Sequence, residues 1–124
     1  VTHSTYYQQR KTHFQNLPDA AKEIILLGDS MTDGCEWGEL LGNNRVKNRG
    51  ISADVCIGVL DRLDEVTAAR PAKVFRLSGT KDLARGGSSE EVIKSIGSIV
   101  AGINLGSPET EVYVQSITPV NDHY

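Results

Sequence analysis

Four short strand-like runs recur along the chain with only enough residues between them for a turn and a helix: Ile24–Leu27, Val46–Arg49, Val74–Leu77 and Val112–Ile117. Runs of this length, bounded by turn residues, fit strands buried in a parallel sheet. The segments between them carry helical spacing instead. Val59, Leu63 and Val66 recur at four and three residues, which places Asp61, Arg62, Asp64 and Glu65 on the opposite, solvated face. Arg70-Pro71 ends that helix, because the proline ring disfavours helical geometry in the residue before it. Ser88-Ser89-Glu90-Glu91 is a capping box, followed by a buried stripe of Val92, Ile96, Ile99 and Ile103 and closed by Gly106 and Pro108. Ahead of the first strand, Ser4 to Asn16 reads as an amphipathic helix carrying Tyr7, Phe14 and Leu17, stopped near Pro18. The resulting order, α-βαβαβαβ, predicts right-handed crossovers and a parallel sheet covered on both faces. Ligands of such sheets bind beyond the carboxyl ends of the strands.

Composition narrows the function classes. The 124 residues make one domain, 1–124, and 13 basic against 16 acidic residues give a net charge of −3. That balance argues against nucleic acid, which selects concentrated Lys and Arg. The longest apolar run, Ile24-Ile25-Leu26-Leu27, falls far short of the ~20 residues that span a bilayer. Cys35 and Cys56 make neither a metal-site spacing nor a disulfide framework, so both are expected as buried or half-buried thiols. The chain opens at Val1 with neither an initiator Met nor a signal peptide, so its compartment is not read from it.

Three strand ends carry suggestive groups. Gly28-Asp29-Ser30-Met31-Thr32-Asp33-Gly34 follows the first strand. A serine there is placed as a nucleophile would be, with its amide near a helix N-terminus able to stabilise an oxyanion. A phosphate-cradling loop fits poorly, since Asp29 and Asp33 would repel the anion and no P-loop lysine follows. The plainer alternative is that Ser30 merely caps the helix. Asn48-Arg49-Gly50-Ile51-Ser52 follows the second strand, where Gly50 either presents its amide or simply makes a turn. Ser78-Gly79-Thr80-Lys81-Asp82-Leu83 follows the third and, taken alone, is a turn.

Together, in this order, the three segments resemble the first three blocks of the GDSL-like, or SGNH, hydrolases, and Gln115-Ser116-Ile117-Thr118-Pro119-Val120-Asn121 is similar to the family's fourth strand and following loop. The resemblance implies a flavodoxin-like three-layer α/β sandwich with strand order 2-1-3-4. It implies a serine esterase or acylhydrolase that cleaves carboxylic esters, those of carbohydrates or lipids among them, through an acyl-enzyme on Ser30, without metal or other cofactor. The oxyanion donors would be the amides of Ser30 and Gly50, and the family's third donor, an Asn side chain, falls at Lys81.

The chain also departs from that pattern. Lys81 sets a long cation where a short neutral amide is expected, and Arg76 stands in a strand where apolar residues are expected. The family's base lies in an Asp-x-x-His block beyond a fifth strand and beside the last helix. By the resemblance these are absent here, and the domain lacks its C-terminal part. His3, His13 and His123 are the histidines of this chain, and none has Asp three residues before it. Two further readings follow: a non-catalytic ligand-binding relative with Lys81 in place of the oxyanion Asn, and a phospho-acceptor or Mg²⁺ domain using Asp29, Asp33 and Asp82. The fourth strand would form an open edge, expected to recruit a second copy or a complementing fragment.

Overall fold

β1 (Ile24–Gly28) lies inside the sheet because its run of Ile and Leu can be buried on both faces. β2 (Val46–Gly50) and β3 (Lys73–Leu77) flank it, and β4 (Glu111–Val114) adds to the far side of β3. Every pairing is parallel and the order is β2-β1-β3-β4, as the resemblance implies. This computed structural model describes residues 3–77 and 79–117.

Alternation along the strands sorts the side chains. Ile25, Leu27 and Val74 face α4 (Cys56–Asp61), α5 (Leu63–Ala68) and α7 (Ser89–Gly106), which bury Cys56, Val59, Leu63, Val66, Ile99 and Ile103 against them. α7 begins as its sequence predicts, with the Ser88 hydroxyl accepting the Glu91 amide at 3.1 Å. α1 (Thr5–Asn16) packs through Tyr7 and Phe14 on Ile51. The guanidinium groups of Arg10, Arg49 and Arg62 lie 4.7, 4.9 and 5.9 Å from the centre of the Phe14 ring.

The other face is covered unevenly. α2 (Ser30–Asp33) and α3 (Trp37–Leu40) lie over the β1–β2 half. Toward β3 and β4, a groove of about 440 Å³ opens between Leu26, Trp37, Leu41, Phe75 and Gln115. Beside it the Phe75 and Tyr113 rings stack at 4.7 Å, and Tyr113 is 42% exposed.

Three expectations need correction. The helix read through Val59, Leu63 and Val66 is two helices, broken at Arg62, where φ is −120°. Arg62 is not on a solvated face: it is buried, with Nε and Nη2 donating to Asp54 Oδ2 at 3.1 and 2.9 Å. Its Nη1 and Nη2 also donate to the carbonyls of Arg49 and Gly28 near the strand ends, the latter shared with the Ile51 amide. Glu65 likewise turns inward and accepts Arg49 Nε at 3.2 Å. The fourth strand is shorter than 112–117: its ladder with β3 runs from Glu111 to Val114.

Candidate active site

The sheet register puts the candidate blocks side by side. Gly28, Gly50 and Leu77 are Cα partners at the carboxyl ends of β1, β2 and β3. A Cβ on Gly28 would lie 2.5 Å from both the Leu77 carbonyl oxygen and Thr32 Oγ1, so only glycine lets α2 fold back directly over the strand end.

Asp29 does the capping at this turn. Its Oδ1 accepts the Met31 amide at 3.2 Å, and its carbonyl accepts the amides of Thr32 and Asp33. The capping role considered for Ser30 is thereby overturned, since Ser30 is the first helical residue and sits inside the cap. Its side chain is exposed, and its hydroxyl makes no hydrogen bond among the described residues.

Gly50 occupies its place for reasons of packing. A Cβ there would run into the Asp33 amide nitrogen and lie 2.7 Å from Thr32 Cβ, so β2 and α2 approach closely only without a side chain. The Gly50 amide, expected as an oxyanion donor, donates instead to Asn48 Oδ1 at 2.8 Å. Asn48 is itself fixed, its Nδ2 donating to the carbonyls of Thr32, Asp33 and Cys35 at 2.9, 3.2 and 2.9 Å. The first and second blocks are therefore stitched together by one asparagine.

Asp33 makes a second stitch. Its Oδ2 accepts the Tyr6 hydroxyl at 2.7 Å, the Ser52 amide at 2.9 Å and the Ser52 hydroxyl at 2.8 Å. Burial pushes this carboxyl up, but the hydrogen bonds from Tyr6 and Ser52 outweigh it and hold its pKa below the ordinary value. The next residue, Ala53, holds φ +66°, in the left-handed region that favours glycine. Its amide has no acceptor among the described residues, and no feature of the sequence pointed to it. An alanine between Ser52 and Asp54 carries no turn signature, so only backbone geometry reveals this free donor.

Lys81 lies in α6 (Thr80–Ala84), half-buried and without an ion pair among the described residues. Arg76, on the neighbouring strand, is fully buried and donates from Nη2 to Cys56 Sγ at 3.4 Å. Burial lowers its pKa, while Cys56, Asp82 and Asp29 favour its charged form. Cys56 is buried and Cys35 half-buried, as their sequence predicts.

The three aspartates of the metal or phospho-acceptor reading do not converge. Asp29 caps α2, Asp33 faces Tyr6 and Ser52, and Asp82 Oδ2 accepts the Cys56 amide at 3.1 Å. No group of three His, Cys, Asp or Glu able to hold a metal ion occurs among the described residues. Of the histidines, His3 Nε2 pairs with Asp61 Oδ2 at 2.7 Å, and His13 is exposed beside Phe14. His123 lies outside the described residues.

No family model matches the chain, and no curated protein matches it. Solved structures do. A Streptococcus pneumonia protein named for platelet activating factor superposes with a TM-score of 0.82 at 26% identity, over 94% of this chain and 57% of its own. A GDSL-like lipase from Bacteroides thetaiotaomicron has a TM-score of 0.77 at 22% identity, over 92% and 59%. The psychrotrophic esterase EstA from a Pseudoalteromonas species, in a structure inhibited by monoethylphosphonate, has a TM-score of 0.58 at 20% identity, over 76% and 61%. The chain thus spans about three-fifths of the length of the structures it matches. Its fold is that of the GDSL-like hydrolases, with the three motif blocks on adjacent strand ends. No described helix is long and apolar enough to cross a membrane.

Proposed function

We propose that this chain, with the fold and ordered blocks of the GDSL-like hydrolases, belongs to a serine esterase or acylhydrolase with Ser30 as nucleophile. The observation that carries this reading is the division of labour at the first strand end. Asp29 caps the helix and leaves the Ser30 hydroxyl exposed and uncommitted at a strand–helix turn. In the reaction, Ser30 Oγ attacks the ester carbonyl and its proton passes to a base. The tetrahedral oxyanion is held by amides, and collapse expels the alcohol and leaves the acyl group on Ser30. The Ser30 amide is one such donor; that of Gly50, the second that the resemblance implies, is held by Asn48. Neither His3, engaged with Asp61, nor exposed His13 makes a hydrogen bond to Ser30. By the resemblance, the base belongs to the Asp-x-x-His block of the longer relatives.

The test is hydrolysis of 4-nitrophenyl acetate by the 124-residue chain and by the same chain extended with its gene's downstream sequence. The short chain should turn over feebly, as oxyanion donors without a base do. The extended chain should be at least about a hundredfold faster and lose that gain in Ser30→Ala. Turnover that survives Ser30→Ala in both would overturn the assignment.

A second reading, a ligand-binding relative without catalysis, draws on the Lys81 substitution and on the commitment of the Gly50 amide. It predicts an extended chain that binds esters and leaves them intact.

A further inference from the structure

A cleft of about 420 Å³ opens between the start of α1, the loop after β2 and the residue that follows α6, lined among others by His3, Tyr7, Ala53, Asp54 and Arg85. Its acidic groups are already matched. Asp54 accepts Arg62 twice through Oδ2 and the Val55 amide through Oδ1, at 2.9 Å for the last. His3 is engaged by Asp61 and its ring stacks on Tyr7 at 4.0 Å. Arg85 is different: it lines the cleft and makes no ion pair among the described residues. The Ala53 amide, on the same lining, has no acceptor among them either. The cleft therefore presents one uncompensated guanidinium and one uncommitted N–H, with no uncompensated carboxylate to oppose an anion.

The geometry points to this cleft as a binding site for a carboxylate or phosphate group, carried by the ester that Ser30 would cleave. A planar guanidinium fork binds such oxyanions in two parallel hydrogen bonds, and a backbone N–H adds a third. The cleft adjoins the proposed chemistry through Ser52, which precedes Ala53 and is bonded to Asp33, three residues after Ser30 on α2. Calling the bound group part of a substrate rests on the esterase reading; the anion site itself does not.

The test is an ¹⁵N NMR titration of the 124-residue chain with sodium succinate and, separately, with inorganic phosphate, at ionic strength held constant with chloride. Amide shifts should be confined to Ser4, the Ser52–Val55 loop and Arg85, for one anion or both. The Arg85→Gln variant should weaken binding about tenfold, the loss expected for a charged hydrogen-bond donor. The control Lys94→Gln, on the solvent side of α7, should change nothing. Which anion binds distinguishes a carboxylate ester from a phosphate-bearing one. Shifts no larger than chloride produces, shifts scattered over surface lysines, or an unchanged affinity in Arg85→Gln would each overturn the site. Because the readout is binding, this outcome is independent of whether Ser30 proves to be a nucleophile.

Discussion

Asn48 holds the amide of Gly50, two residues along the same chain, at 2.8 Å, and its other side-chain atom holds three carbonyls of the turn after β1. The strand end and the helix that begins at Ser30 are thus fixed by one amide group with both its donor and acceptor in use. Asn48→Ala would leave these groups half-satisfied in a partly buried site. It should cost about 2–4 kcal/mol, as loss of several hydrogen bonds at one locus does, measured by urea unfolding. A cost below about 0.5 kcal/mol, the level of an ordinary surface change, would show the stitch to be dispensable.

Ala53 tests the backbone of the neighbouring loop. A left-handed φ costs a non-glycine residue roughly 1–2 kcal/mol, whereas glycine adopts it freely. Glycine also loses more freedom on folding, by about 0.5–1 kcal/mol. Ala53→Gly should therefore stabilise the chain by about 0.5 kcal/mol, visible as a higher urea midpoint with an unchanged slope. A lower midpoint would mean that Ala53 is not strained.

Glu23 gives a pH dependence with a definite sign. Its side chain is fully buried and no side-chain donor among the described residues meets its carboxylate; the Ala20 amide is the backbone group that favours its charged form. Burial raises its pKa above the ordinary 4.5, and nearby Arg49 only partly offsets this. A raised folded pKa means that the folded chain holds the proton more tightly than the unfolded one. The resulting stability is fully present below about pH 4.5 and is lost as pH rises through the folded pKa. Glu23→Gln should accordingly raise Tm at pH 8 relative to the parent and bring little or no gain at pH 4. An equal shift at both values would remove the carboxyl from the explanation.

Among the described residues β4 pairs with β3 alone, and its two faces carry Tyr113 at 42% and Val114 at 46% exposure. Parallel sheets rarely leave such strands open, because unpaired amides and carbonyls template further pairing. The 124-residue chain should self-associate at high micromolar concentration in sedimentation velocity, and Val114→Lys should shift it toward monomer. A monomer at every concentration, with fast amide exchange in Val112–Val114, would show the edge to be bare.

Where burial decides conformation, the sequence was readable. Ile24–Leu27 and Val74–Leu77 announce β1 and β3 because one face of each is fully buried and the other partly covered. The capping box at Ser88 announces α7 because its hydrogen bond is local. The site's polar framework was not readable in the same way. Arg62 sits at a helical position that periodicity assigns to solvent, yet Asp54 and the strand-end carbonyls of Gly28 and Arg49 hold its guanidinium inside. The partner of the Gly50 amide and the strain at Ala53 are likewise properties of the folded backbone. The motif blocks name the candidate site, but long-range hydrogen bonds decide which donors in it are free.

The ring of Phe14, with three guanidinium groups gathered around it, makes α1 more than an appendage to the sheet. Its quadrupole and bulk keep like charges from Arg10, Arg49 and Arg62 in one neighbourhood, with Asp33, Glu65 and Asp54 balancing them in turn. A protease cut between α1 and β1 would release a latch: Arg49 and Arg62 would lose the aromatic surface between them, and Ile51 would lose its cover. Nicking near Pro18 should therefore not yield a trimmed but intact domain. It should commit the remaining chain to digestion, so that the nicked species passes quickly to small fragments instead of accumulating.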